Sequence, residues 1–183
     1  FGGTYGCPIK RDRFFFFASY EGLRLRQPVV SLSDVPSMTA RRTAPPTIQP
    51  LLNLYPLPNG LARPDGFAEF ASSFANSGRH DTASLRLDRY ITNRLMISGY
   101  YNLADSNAQE RGAGGFSLNT LNRIFNRSRM LTGTIAYTIS PRMVAEFKAN
   151  YSHFSSRSSY RLDDFGGAVL PAESILSQSA LFS

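Results

Sequence analysis

Hydrophobic and polar residues alternate with a period of two along several stretches of this chain, and the period vanishes between them. Phe14 to Leu25 sets Phe14, Phe16, Ala18 and Tyr20 against Phe15, Phe17, Ser19 and Glu21, as the two faces of a strand require. Asp81 to Ile91 sets Ala83, Leu85 and Leu87 against Ser84, Arg86 and Asp88. Leu95 to Ala104 sets Ile97, Gly99 and Tyr101 against Met96, Ser98 and Tyr100. Arg129 to Ile139 puts Leu131, Ile135 and Tyr137 on one face and Thr132, Thr134 and Thr138 on the other. Met143 to Ser155 places Phe147 and Tyr151 opposite Glu146, Lys148 and Asn150. With the glycine-rich, extended run Phe1 to Ile9, the pattern predicts six strands.

The connectors fall into two kinds. Lys10-Arg11-Asp12-Arg13, Thr92-Asn93-Arg94 and Ser140-Pro141-Arg142 are tight polar turns. They close three hairpins, at about 1–25, 81–104 and 127–155. Long aperiodic loops are expected between and after these hairpins, at about 28–78, 105–124 and 158–183. The first carries eight prolines, Pro28 to Pro64, which argue against a central strand or a long helix there. Thr47 to Tyr55 accommodates at most a short helical turn, with Pro50 where a missing N–H costs little.

Short turns alternating with long loops, and strands of about ten residues, are the arrangement of an outer-membrane β-barrel. In lipid every backbone group must pair within the wall, so such a sheet closes on itself. The chain therefore reads as all-β: part of an antiparallel up-and-down transmembrane barrel. Faces bearing Leu85, Leu87, Ile97, Ile135 and Phe147 would meet lipid; faces bearing Arg86, Asp88, Glu146 and Lys148 would line a wet lumen. Those four charges are expected to form ion pairs of the wall or contacts to a plug more than ligands for a substrate. A soluble β-sandwich with one polar face per sheet also fits the alternation. Its strands average about five or six residues, half the length read here.

Composition narrows the picture little: 42% of the residues are hydrophobic and 18% charged, and no apolar run reaches the length of a membrane helix. A mean hydropathy of -0.22 suits a barrel, whose lipid and lumen faces average out. The formal charge of +7 rests on arginine, Lys10 and Lys148 being the only lysines. The arginines are scattered singly, so no nucleic-acid footprint is expected. One cysteine, Cys7, excludes an intrachain disulfide and a multi-cysteine metal site, and is expected to be a small buried residue. His80-Asp81 and Asp163-Asp164 lack the further ligands a metal needs. No cofactor, metal or catalytic chemistry is expected. No signal peptide opens the chain, so an export address is expected upstream of it.

The first hairpin is more specific than the alternation. Phe1-Gly2-Gly3-Thr4-Tyr5-Gly6-Cys7-Pro8-Ile9, a charged turn, then Phe14-Phe15-Phe16-Phe17-Ala18-Ser19-Tyr20-Glu21-Gly22 closely resembles the start of the barrel in Oar-like TonB-dependent transporters. Cys7 departs from the family's usual glycine. Leu51-Leu52-Asn53-Leu54-Tyr55-Pro56-Leu57-Pro58-Asn59 is similar to an outer-loop element of that family, and Arg86-Leu87-Asp88 and Ser140-Pro141 with Glu146-Phe147 to two of its strands. The resemblance implies that residues 1–183 are the N-terminal portion of a large barrel, with a plug domain upstream and further strands downstream. It also implies a bacterial outer-membrane location, contact with lipid, a TonB complex engaging parts not shown, and uptake of a bulky nutrient. A surface-interaction or secretion-linked barrel without uptake is the alternative.

Overall fold

The computed structural model describes residues 1–170. It contains six strands, β1 (Gly2–Lys10), β2 (Phe14–Pro36), β3 (Phe67–Tyr90), β4 (Leu95–Arg111), β5 (Thr120–Ser140) and β6 (Met143–Leu162). Two short helices, α1 (Met38–Thr43) and α2 (Gln49–Leu52), lie between β2 and β3. The strands form one open sheet in sequence order, an antiparallel up-and-down meander, as the alternation predicts. No described helix is long and apolar enough to cross a membrane, which says nothing of a crossing by strands.

Local chemistry sets the three tight turns. In the first, the Arg13 N–H donates to the Lys10 carbonyl at 3.1 Å, and Asp12 takes φ 61°, a left-handed conformation that Asp tolerates better than most residues. In the second, Thr92 Oγ1 accepts from the N–H groups of Arg94 and Leu95 at 3.1 and 3.0 Å. In the third, Ser140 Oγ accepts from the Arg142 N–H.

The strands outrun the expected hairpins. β2, β3 and β5 have 23, 24 and 21 residues, about twice the 9–11 that cross hydrocarbon. The expected loops 28–78 and 105–124 contract to 37–66 and 112–119, and the third begins at 163 instead of 158. Its remainder, 171–183, lies outside the described residues. Alternation reports a boundary between apolar and polar surroundings, and where both faces of a strand are wet it fades although pairing continues. Asn76, Ser77 and Gly78 of β3 and Asn107, Gln109 and Glu110 of β4 carry no apolar alternation, yet they remain strand.

Pro28 corrects the view that prolines end β2 early. Pairing of β1 with β2 stops at Gly2↔Glu21, after which the Gly22 N–H donates to the Phe1 carbonyl. Residues of equal parity in a regular strand turn their N–H groups to the same side. Pro28 lies six residues after Gly22 and points its nitrogen to the β1 side, where no described strand stands opposite it. No ladder bond is lost.

By contacts the chain divides into two compact units. The first comprises Phe1–Leu25, Gly78–Ala108 and Ile124–Arg157. Its sheet is inverted relative to a water-soluble one. Along β5 the apolar residues Leu131, Ile135, Tyr137 and Ile139 are exposed, Leu131 by 51%, while Thr132, Thr134 and Thr138 between them are half-buried. Leu85, Leu87 and Ile97 are also exposed. On β5 an exposed apolar face backs a half-buried polar one, as a lipid-facing wall requires, while Arg86 of β3 and both faces of β6 are exposed.

The second unit comprises, among the described residues, Arg26–Ser77, Gln109–Arg123 and 158–170. Here polarity is conventional. Val35, Phe70 and Leu118 are buried together, with Phe74 and Phe165 packed against them. Phe165 meets both other rings edge-on, at centroid distances of 6.2 and 5.8 Å. Ser37 caps α1 by accepting from the Ala40 N–H, and α2 starts at Gln49-Pro50, within the stretch expected to hold a helical turn.

Candidate functional site

On the polar face of the first unit, strand alternation brings together side chains distant in sequence. Arg86, Met96, Ser98, Tyr100, Glu146 and Lys148 bound a groove of about 290 Å³, floored by Thr132 and Thr134. Three of the four residues expected to face a lumen thus share one groove. Asp88, the fourth, is held beside it: Arg86 Nε donates to both Asp88 oxygens, at 2.8 and 3.1 Å. Lys148 Nζ lies 3.4 Å from Glu146 Oε1. Both pairs join residues two apart on one strand, so alternation places each pair on one face.

The same face carries hydroxyls and amides that satisfy one another across strands. Ser19 and Ser84 share a 2.7 Å hydrogen bond, and Asn150 Nδ2 donates to Thr132 Oγ1 at 2.8 Å. The groove is polar, and its charges neutralise one another locally. It offers donors and acceptors to water or to a polar occupant, and its residues do not pair a nucleophile with a base. Among the described residues no three His, Cys, Asp or Glu side chains converge as metal ligands. His80 bonds Thr82, while Asp81 is held by Tyr20, Arg24 and Arg79. Cys7 is half-buried opposite Phe16, not buried as expected. The tightest glycines of this hairpin are Gly2 and Gly22, where an added Cβ would come 2.6 Å from the Tyr20 carbonyl oxygen and from the Phe1 ring.

In the second unit the run Leu51 to Asn59 acts through its backbone. Arg41, only 5% exposed, donates to the carbonyls of Pro36, Tyr55 and Pro56. Asn119, 1% exposed, donates to the Leu54 carbonyl at 2.6 Å. The Leu57 N–H donates to Gly166, and Asn59 bonds Ala71 in both directions. Prolines in this run remove donors and leave carbonyls pointing outward, and buried Arg and Asn side chains collect them.

Arg111 closes the unit. Its guanidinium binds both Asp163 oxygens, at 2.8 and 2.7 Å, donates to the Leu118 carbonyl and lies 4.0 Å from the centre of the Phe165 ring. Burial works to raise the Asp163 pKa, but the bonds from Arg111 and from the Phe165 N–H outweigh it and hold the carboxyl below its ordinary value. At Arg41, burial lowers the guanidinium pKa from its ordinary value.

Sequence reading missed Arg41, Arg111 and Asn119, and weighed Asp163 only as half of an acidic pair too small to hold a metal. They sit in stretches without period, and their partners lie up to 65 residues away. The nearest signal was the run Leu51 to Asn59 itself, whose clustered prolines imply carbonyls needing donors from elsewhere.

A family model described as an outer membrane beta barrel domain matches the chain over residues 1–45 and 38–172. Neither a curated protein nor a solved structure matches it.

Proposed function

The chain belongs to the outer membrane beta barrel domain family, and from that premise we propose that it is wall and outer-loop structure of a receptor-transporter. Its location is the bacterial outer membrane. The cargo is a bulky nutrient, a metal chelate, an oligosaccharide or a peptide, and uptake is driven by a TonB complex acting through other parts of the protein. The chain performs no covalent chemistry and has lipid and the nutrient as its partners, not nucleic acid.

The observation that carries this reading is the polar face of the first unit. Arg86–Asp88 and Glu146–Lys148 keep charges in the wall while cancelling them locally, with the hydroxyls of Ser98, Thr132 and Thr134 beside them. That suits a lumen filled by a polar plug or a hydrated solute, where a strong field of one sign would bind cargo too tightly to release it. The braced loop unit adds a preorganised surface, which lowers the entropy lost on capturing a ligand. The first hairpin's likeness to Oar-like TonB-dependent transporters supplies the energy coupling.

The test is capture of the full-length protein, in detergent, by an immobilised periplasmic domain of TonB. Retention with micromolar affinity supports a transporter. A folded protein that passes through unretained supports the surface-interaction barrel instead.

A further inference from the structure

The outward face of the first unit does not stay apolar along its length. Continuing the alternation of Leu85 and Leu87 along β3 reaches Asp81 and Arg79; continuing that of Ile97 and Tyr101 along β4 reaches Asp105 and Asn107. On β5 the series Ile135, Leu131 leads to Arg129 and Arg127, and on β6 Phe147, Tyr151 leads to Ser155 and Arg157. Arg79, Asp81, Asp105, Arg127, Ser155 and Arg157 line one shallow cavity of about 590 Å³. Charged side chains thus gather on the face that carries the lipid-facing residues, one strand beside the next.

Their depth is informative. Asp81, Asp105 and Arg129 each stand about ten residues from the tight turn of their strand. At a rise of about 3.3 Å per residue and a tilt of about 40°, ten residues climb about 25 Å, the height of a barrel's apolar band. Tight turns lie on the periplasmic side, so the cluster begins where the hydrocarbon ends in the outer leaflet. Tyr20 marks that boundary, its hydroxyl donating to Asp81 at 2.6 Å.

The charges do not cancel as they do on the polar face. Asp81 is shared by Arg24, at 2.7 Å, and Arg79; Asp105 is shared by Arg129, at 2.9 Å, and Arg127, at 3.5 Å. With Arg157 there are five guanidinium groups and two carboxylates, an excess of three positive charges (5 − 2). Each carboxylate splays two guanidiniums instead of satisfying one. Arg79 and Arg127 remain 63% and 66% exposed, with donors free to turn to a further acceptor. Guanidinium forks match phosphate oxygens bidentately.

We propose that this arginine cluster is a binding site for the phosphorylated headgroup of an outer-leaflet glycolipid, whose acyl chains lie along the adjoining apolar band. A free anion would need only the charges. A lipid uses the charges and the exposed Leu131, Tyr101 and Ile97 on the same face together. The site is independent of the nutrient and of energy coupling, so it stands or falls separately from the transporter reading.

The test uses the full-length protein purified in detergent, with lipid counted by native mass spectrometry. The probes are diphosphorylated lipid A, its fully dephosphorylated form, and inorganic phosphate as competitor. The variants are Arg79→Gln/Arg127→Gln/Arg157→Gln and the corresponding triple lysine protein, each checked for folding by heat-modifiable migration on a gel. Wild type is expected to retain diphosphorylated lipid A at least tenfold more tightly than the dephosphorylated form. The glutamine protein should lose at least tenfold and the lysine protein should recover much of that loss, with millimolar phosphate competing poorly. Equal retention by folded wild type and glutamine protein, or indifference to the lipid's phosphates, overturns the proposal. Full displacement by millimolar inorganic phosphate also overturns it, in favour of a free-anion site.

Discussion

Replacing Asp163 with alanine removes the carboxylate that Arg111 grips and leaves the guanidinium against the Phe165 and Phe74 rings. The two side chains are 13% and 25% exposed, between the limits for which magnitudes are known. Exposed pairs contribute about 0–1 kcal/mol, and breaking a buried pair costs about 3–5 kcal/mol. For this bidentate, partly shielded pair a loss of about 2 kcal/mol follows. At about 1.4 kcal/mol per tenfold, the opened population of the loop unit rises about thirtyfold. The assay is limited proteolysis of the full-length protein in native outer membranes, following cleavage within residues 37–66. When opening and reclosing are fast, the cleavage rate tracks the open population. Arg111→Ala should do at least as much damage, because it also removes the bond to the Leu118 carbonyl and the stacking on Phe165. In the double variant the two losses should fall well short of additivity. Cleavage rates within twofold of wild type for both single variants would refute the clamp.

Other consequences follow from the same geometry. Because the folded-state pKa of Asp163 is depressed, its contribution is fully present above about pH 4, the unfolded carboxyl value, and is lost as the pH falls further. Protection of residues 37–66 should therefore hold from pH 7 to about 5 and decline below about 4 in wild type, with a much smaller change in Asp163→Ala. On β5, Ile135→Arg puts a charge on the outward apolar face and should cost about 2–4 kcal/mol of folding into lipid vesicles, whereas Thr134→Arg on the polar face should cost far less. Asp12→Gly relieves a left-handed residue at the first tight turn, and urea titration in vesicles should find it neutral or stabilising by up to about 1 kcal/mol.

The transmembrane half of the fold was legible because lipid imposes a period. Leu85, Ile97, Ile135 and Phe147 alternate with Arg86, Lys148 and the threonines of β5, so the strands and the two faces of the sheet could be read together. The tight turns were legible as well, each closed by hydrogen bonds that span no more than three residues. The rest was not, for two physical reasons. Asn76 and Gln109 stand in polar stretches without apolar alternation, so the sequence there carries no mark of its pairing. The loop unit is held by single long-range contacts, Arg41 to Tyr55 and Pro56, Asn119 to Leu54, Arg111 to Asp163, none of which has a local signature. The outward arginines were visible only as scattered residues, since strand pairing is what gathers them into one cluster.

The most direct measurement is of which face meets lipid. In a Cys7→Ser background of the full-length protein, single cysteines at positions 131–138 would carry a small fluorophore after reconstitution into vesicles. Brominated acyl chains should quench positions 131, 133, 135 and 137, and aqueous iodide should quench 132, 134, 136 and 138. Uniform quenching by iodide, or the opposite parity, would contradict a barrel wall with an apolar outside and a polar, charge-paired interior.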